Sequence, residues 1–407
     1  DNENRRKQSG VIRQQALRGN RPGPLAAGER ERLSAMLEEA LAGGVHGVSI
    51  GLAYVPGIFA DAAEIETVFA AAARAGRIVT VHGRTYSRTS PYFPDDVSGA
   101  PHNLLDIASF IAVAAKTGAT LHVSHLLLKG SRTWELWRDA IELFDRANAD
   151  GVDATFGVIP YHCGNTLITT LFPKWFLEDF AGNMARPGRV KRLERDVFEA
   201  EQAIGRTFSD LYLLWGANPS LAGLEGKSFS RIAGELGVAE IEACLHVARE
   251  SGGRAKVLTL AYSGRESDCP EPLERLLAHP LSLVEIDAIL TAPEGPQIPA
   301  AFGAFPKWLG HYCRDRGLMP MEQGVRKLTG APANRFGLRN RGYLREGFAA
   351  DMVLFNPATI RDANSLANPA HPPAGVAAVL VNGALVAMNN TVRDSTPRGR
   401  VLYPFRS

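Results

Sequence analysis

Apolar positions recur with a helical period over residues 29–41, where Leu33, Met36, Leu37, Ala40 and Leu41 share one face. Gly43-Gly44 follows as a helix stop. A β-like run over 45–52 comes next, then a Pro56-Gly57 turn. The alternation then repeats. Residues 64–75, 104–117 and 134–149 read as helices, and 77–82, 119–125 and 152–159 as strands rich in β-branched residues. Residues 255–261 and 281–286 look like two more strands of the same kind.

Strands alternating with helices of this length predict βαβ units and a parallel sheet. Six strand candidates share the register, and an eight-stranded (β/α)₈ barrel is the natural closure. About two strands are then expected upstream of Asp1. An open doubly wound sheet is the alternative, but no G-x-G-x-x-G follows a strand to support it. Residues from about 165 to 250 break the rhythm and read as an insertion. The barrel part is expected over 1–336, and a small β-sandwich segment over 337–407, where short apolar runs are punctuated by Pro357, Pro372-Pro373 and Pro397.

Composition narrows the function classes. The 407 residues are 45% hydrophobic and 22% charged, with a formal net charge of +2, so no strong overall pull toward nucleic acid or an anionic membrane is encoded. No apolar run reaches the roughly 18 residues of a membrane span. The four cysteines, Cys163, Cys244, Cys269 and Cys313, form no C-x-x-C pair and suit a reducing cytoplasm. The chain opens without Met on a charged stretch that includes Arg5-Arg6-Lys7 and has no apolar core of a signal peptide. It reads as a chain entered midway.

Three strand candidates end in residues that can ligate or move protons: His82, His125 and Asp287. Strand C-termini converge on one face of a (β/α)₈ barrel. Two imidazoles and a carboxylate meeting there suit a zinc-type site, and a carboxylate beside a metal can also take a proton from water. His122 lies three residues before His125, so on a strand it faces the other way and reads as structural. His162-Cys163, His246, His279, His311 and His371 read as incidental or structural. No G-x-S-x-G elbow or P-loop is present.

At these residues the sequence resembles the D-aminoacylase (N-acyl-D-amino-acid deacylase) branch of the metal-dependent amidohydrolase superfamily. The matching segments include Gly51-Leu52-Ala53-Tyr54-Val55-Pro56-Gly57, Val81-His82-Gly83-Arg84, Val123-Ser124-His125 and Ile159-Pro160-Tyr161. Further along come Gly303-Ala304-Phe305-Pro306-Lys307-Trp308-Leu309-Gly310, Asn334-Arg335-Phe336-Gly337-Leu338, Ala350-Asp351-Met352-Val353-Leu354-Phe355 and Val381-Asn382-Gly383. The resemblance spans almost the whole chain outside the insertion. It implies that His82 and His125 are metal ligands and that one or two divalent ions, zinc among them, are the cofactor. Metal-bound hydroxide would attack the carbonyl of a small-molecule amide, with Asp287 as general base and then acid.

The resemblance also marks departures. The family's first-strand H-x-H pair and second-strand cysteine ligand are absent, and both would fall before Asp1. Two positions that help hold the substrate carboxylate read Ile159 and Asn165, and an arginine before the Gly-x-Phe-Pro run reads Ala300. Tyr54 and Arg84 remain as polar substrate contacts. A cyclic-amide hydrolase of the hydantoinase or dihydroorotase kind, or an inactive truncated chain, are the alternatives. An incomplete barrel would expose strand edges and apolar surface, so the isolated chain is expected to be poorly soluble. Substrate, stereochemistry and oligomeric state are not written in these patterns.

Overall fold

Eight strands precede residue 300 in chain order: β1 (Gly47–Gly51), β2 (Ile78–His82), β3 (Thr120–Val123), β4 (Ala154–Val158), β5 (Cys163–Leu167), β6 (Leu211–Trp215), β7 (Lys256–Leu260) and β8 (Ser282–Val284). They are seen in a computed structural model that describes residues 11–17, 22–90, 98–288, 298–366, 368–393 and 395–402. The charge run at Arg5-Arg6-Lys7 lies outside these residues.

Among the described residues, five strands form one parallel sheet in the order β1-β2-β3-β4-β8. Its register aligns the strand ends. Gly51 pairs with His82, Val81 with Val123, and Val158 with Val284. The segments that follow these ends therefore gather along one edge, where ligands bind in α/β folds. Helices Ala62–Arg74, His102–Thr117 and Trp137–Ala149 cover the sheet as crossovers. Their apolar faces bury Phe69, Phe110 and Phe144 against Val79, Val81, Leu121 and Phe156 in one core. The first crossover is capped by Asp61, whose carboxylate accepts the Glu64 N–H at 2.8 Å. The sheet strands are buried on both faces, which is why they read as nearly continuous apolar runs.

One strand expectation needs correction. The run at 255–261 forms β7, but it does not join the parallel sheet. It lies between β5 and β6, antiparallel to both. A central strand covered on both faces has the same apolar texture in either sheet, and only its pairing partner tells the two apart. This three-stranded sheet packs with helices Pro187–Ile204, Phe229–Leu236 and Glu240–Glu250 around a separate apolar cluster that includes Phe172, Phe176, Leu213 and Phe229.

Lys327 fixes where β8 begins. Its ammonium donates to the carbonyls of Leu277 at 2.9 Å and Ser282 at 3.0 Å, and so ties the preceding helix to the strand that leads to Asp287. Beyond it, β9 (Met352–Phe355), β10 (Val376–Val381), β11 (Ala384–Met388) and β12 (Thr391–Val392) form an antiparallel sheet in the order β12-β11-β10-β9. Among the described residues no helix is long and apolar enough to cross a membrane.

Candidate active site

The edge formed by the ends of β1, β2, β3 and β8 opens into a cleft of about 770 Å³. His82 is the last residue of β2, and His125 follows β3 by two residues. Their rings meet edge to face, with centroids 4.5 Å apart, and Nδ1 of His82 stands 2.8 Å from Nε2 of His125. Asp287 lies past the end of β8 and lines the same cleft. Tyr86 packs against both imidazoles, at 5.4 Å from His82 and 5.3 Å from His125. Its hydroxyl accepts the Gly83 N–H at 3.0 Å and donates to the Ser124 carbonyl at 3.4 Å, pinning the two strand ends together.

His125 and Asp287 both sit at positive φ, +34° and +43°, a region that residues other than glycine seldom adopt. Such strain persists only where the surroundings enforce it, and it clusters at functional sites. Here Glu285 does the enforcing. One of its oxygens accepts the His125 N–H at 2.8 Å, and the other bonds His122 Nε2 at 2.8 Å. The other ring nitrogen of His122 meets Thr155 Oγ1 at 2.8 Å, so His122 is held as a structural histidine beneath the site. Space for Glu285 comes from Gly157 in β4, where an added Cβ would fall 1.9 Å from the carboxyl carbon.

Burial governs the charges. It pulls His82 well below the ordinary histidine pKa, and His125 and Lys129 push it the same way, so its imidazole is neutral at neutral pH. Burial raises Asp287 above the usual carboxylate range, with His125 opposing and Glu285 adding to the rise. Nδ1 of His82 and Nε2 of His125 face each other at 2.8 Å, close enough for the two imidazoles to be ligands of one divalent ion. Among the described residues, no group of three or more His, Cys, Asp or Glu side chains could by itself hold a metal ion.

The remaining candidates divide. Tyr54 lines the cleft, stacks on His82 at 4.8 Å and shares a hydrogen bond with Thr166 at 3.2 Å. Asn165 also lines the cleft, carried there by β5. Ile159 does not. It is buried in an apolar cluster with Tyr161, Leu258 and Ala300, with no polar atom to offer. Arg84 reaches the cleft, but its guanidinium faces Asp106 at 3.5 Å and donates to the Ala60 carbonyl at 3.0 Å. The thiol of Cys163 is pushed up to about 12 by burial, which leaves it inert.

Asp106 gives a testable pH signature. It accepts the Arg84 N–H at 2.6 Å and the Thr85 N–H at 3.3 Å, yet burial outweighs these and Arg84, pushing the carboxyl up to about 6. An acid raised on folding stabilises the fold in full below its ordinary value, here 3.8, and that contribution is lost as pH rises through about 6. Stability should therefore fall by roughly 3 kcal/mol from this group between about pH 4 and pH 7. Urea melts across that range should give a flatter profile for Asp106→Asn; an unchanged slope would refute the assignment.

Comparison with known proteins agrees with this geometry. The profile of the Amidohydrolase family matches residues 233–387. A D-aminoacylase of Alcaligenes xylosoxydans xylosoxydans is 28% identical over 359 residues, covering 88% of this chain and 62% of the relative. An N-acyl-D-glutamate deacylase of the same organism is also 28% identical, over 361 residues, with 89% and 62% covered. A solved N-acyl-D-glutamate deacylase from Bordetella bronchiseptica, complexed with zinc and a phosphonate mimic of the tetrahedral intermediate, superposes with a TM-score of 0.70 at 28% identity. That match covers 89% of this chain and 64% of the other.

The chain resembles the D-aminoacylase branch of the amidohydrolase superfamily.

A crystal structure of D-aminoacylase at 24% identity superposes with a TM-score of 0.74 over 94% of this chain and 68% of that one, which shows a shared barrel fold. The chain spans about 62% of the length of the curated relatives it matches. Sequence reasoning missed Glu285, Tyr86, Lys129, Thr166, Arg206 and Tyr262, all of which touch the cleft or hold its histidines. One signal was available. Glu285 is a carboxylate at the end of the apolar run that leads to Asp287, a position where a polar residue is conspicuous.

Proposed function

We propose that this amidohydrolase hydrolyses linear amides of the N-acyl-D-amino-acid kind, with zinc as its divalent ion. The observation that carries the reading is the meeting of His82, His125 and Asp287 in one cleft at parallel strand ends. Nδ1 of His82 and Nε2 of His125 would hold the ion. When bound, such an ion polarises a carbonyl and makes water more acidic.

The chain's own residues do the rest. Asp287, without an ion-pair partner among the described residues and raised by burial, takes a proton from the attacking water and returns it to the leaving nitrogen. Tyr54 and Tyr86 are both raised above the ordinary phenol value by burial, so they stay protonated. The Tyr54 hydroxyl can donate to the oxygen that gains charge during the reaction. Glu285 keeps His125 in its strained pose, and the insertion closes the cleft with Asn165 and Thr166, limiting bulk water. Four free cysteines, three of them buried, suit a reducing compartment, and we place the enzyme in the cytoplasm.

The test is metal analysis of the full-length gene product, joined to hydrolysis assays on N-acyl-D-amino acids and on hydantoin-like rings. Bound zinc with preferential turnover of the N-acyl-D-amino acids is expected. Metal-free protein that stays inactive after zinc addition would sink the proposal, and preference for the rings would replace it with cyclic-amide hydrolysis.

A further inference from the structure

Five charged side chains line the cleft: Arg84, Lys129, Glu201, Arg206 and Asp287. Two of the three cations are already engaged. Arg84 faces Asp106 and the Ala60 carbonyl. Arg206, only 2% exposed, donates through Nε and Nη2 to the two oxygens of Glu201. Its Nη1, however, is buried without a partner. Lys129 is different again. Its backbone N–H goes to the Tyr86 carbonyl at 2.8 Å, but among the described residues its ammonium has no hydrogen-bond or ion-pair partner.

A half-buried ammonium near a guanidinium with a buried spare N–H is an unfavourable arrangement by itself. Burial, then the charge of Arg206, pulls Lys129 down to about 7, with Glu201 opposing. Glu201 is already bound to Arg206, so this wall of the cleft gains an unbalanced positive charge whenever Lys129 is protonated, and an anion beside it would favour that state. Lys129 is also near enough to His82 to disfavour its protonation, which places the wall close to the reacting centre. Of the three departures Ile159, Asn165 and Ala300, Asn165 lines the cleft and carries no charge, while the other two lie in an apolar cluster.

We propose that Lys129, backed by the unpartnered Nη1 of Arg206, forms the anion subsite of this cleft and binds a carboxylate of the substrate. The inference rests on the amide-hydrolase reading above and adds the group that orients the substrate. An entering carboxylate would give the ammonium its missing partner, in a charge-assisted hydrogen bond screened from water. Glu201 holds the Arg206 guanidinium in place, so that Nη1 is presented without reorganisation. Specificity would follow, because an analogue lacking the carboxylate leaves both donors buried and unpaired.

The test reads binding by calorimetry, independently of turnover. Three probes are used: N-acetyl-D-glutamate, its side-chain amide N-acetyl-D-glutamine, and its α-amide N-acetyl-D-isoglutamine. Lys129→Met is expected to weaken binding of N-acetyl-D-glutamate by about 100-fold. It should weaken just one of the two amides to a similar extent, the one retaining the carboxylate that Lys129 contacts, and leave the other unchanged. That pattern identifies which carboxylate is held. Lys129→Gln serves as the second variant should the methionine protein fail to fold.

Equal loss for all three probes, no loss for any, or no measurable binding of any probe to the unaltered protein would overturn the inference. Binding that depends on Lys129 in a protein that hydrolyses none of the three would instead refute the proposed activity and leave the anion subsite standing.

Discussion

Asp287→Asn is expected to lower kcat/KM for amide hydrolysis by about 10³-fold, the scale of a lost general acid–base. Asparagine keeps the shape of the side chain and can still donate a hydrogen bond, but it cannot accept and return a proton. The site leaves Asp287 ready for that work: it lines the cleft, burial raises its pKa, and the nearby His125 tempers the rise. Because the proton transfer belongs to the transition state, the loss should fall on kcat rather than KM. Metal content and melting temperature should stay near those of the unaltered protein, since neither depends on a transferable proton. Steady-state kinetics with metal analysis checks all three, and activity within tenfold of the original would remove Asp287 from the mechanism.

Glu285→Ala is expected to destabilise the fold by about 4 kcal/mol. The estimate follows from what Glu285 holds: the ring of His122 and the N–H of His125, each at 2.8 Å, in a network whose other members are almost wholly buried. Removing the carboxylate strands two buried donors and leaves His125 in a strained backbone conformation without its acceptor. It also opens a void over Gly157, whose missing side chain exists to admit the carboxylate. Glu285→Gln, which keeps one acceptor and the volume, should lose less than half as much. Denaturant melts of the two variants decide the matter; a loss under about 1 kcal/mol for the alanine protein would mean the network is not what shapes His125.

The two effects differ in kind, and that difference separates a group that reacts from one that positions. Asp287 should change chemistry with little effect on stability. Glu285 should change stability, and activity only through His125. Both carboxylates follow the end of β8, which brings them to the same edge of the sheet. Their roles diverge because Glu285 finds two buried donors, whereas Asp287 finds the open cleft.

Much of this was legible in the chain. Periodicity gave the three crossover helices and all five parallel strands close to their observed ends, since local burial on one helix face or both strand faces leaves a direct imprint on residue order. His82, His125 and Asp287 stood out because a polar residue ending an apolar run is a local feature. The strand at 256–260 was also visible as a strand, but its sheet was not. Pairing with β5 and β6 depends on neighbours about 45 to 90 residues away, and no local period encodes that choice.

What the sequence by itself determined, then, is the alternating framework and the three candidate side chains at or just past its strand ends. The tertiary structure decided which polar groups surround them: Glu285 under His125, Tyr86 across both imidazoles, and Lys129 with Arg206 on the charged wall. It also withdrew Ile159 into an apolar cluster and tied Arg84 to Asp106. The physical reason is range. Backbone periodicity acts over a few residues, while burial, desolvation and hydrogen bonding act between groups that only folding brings within a few ångströms of one another.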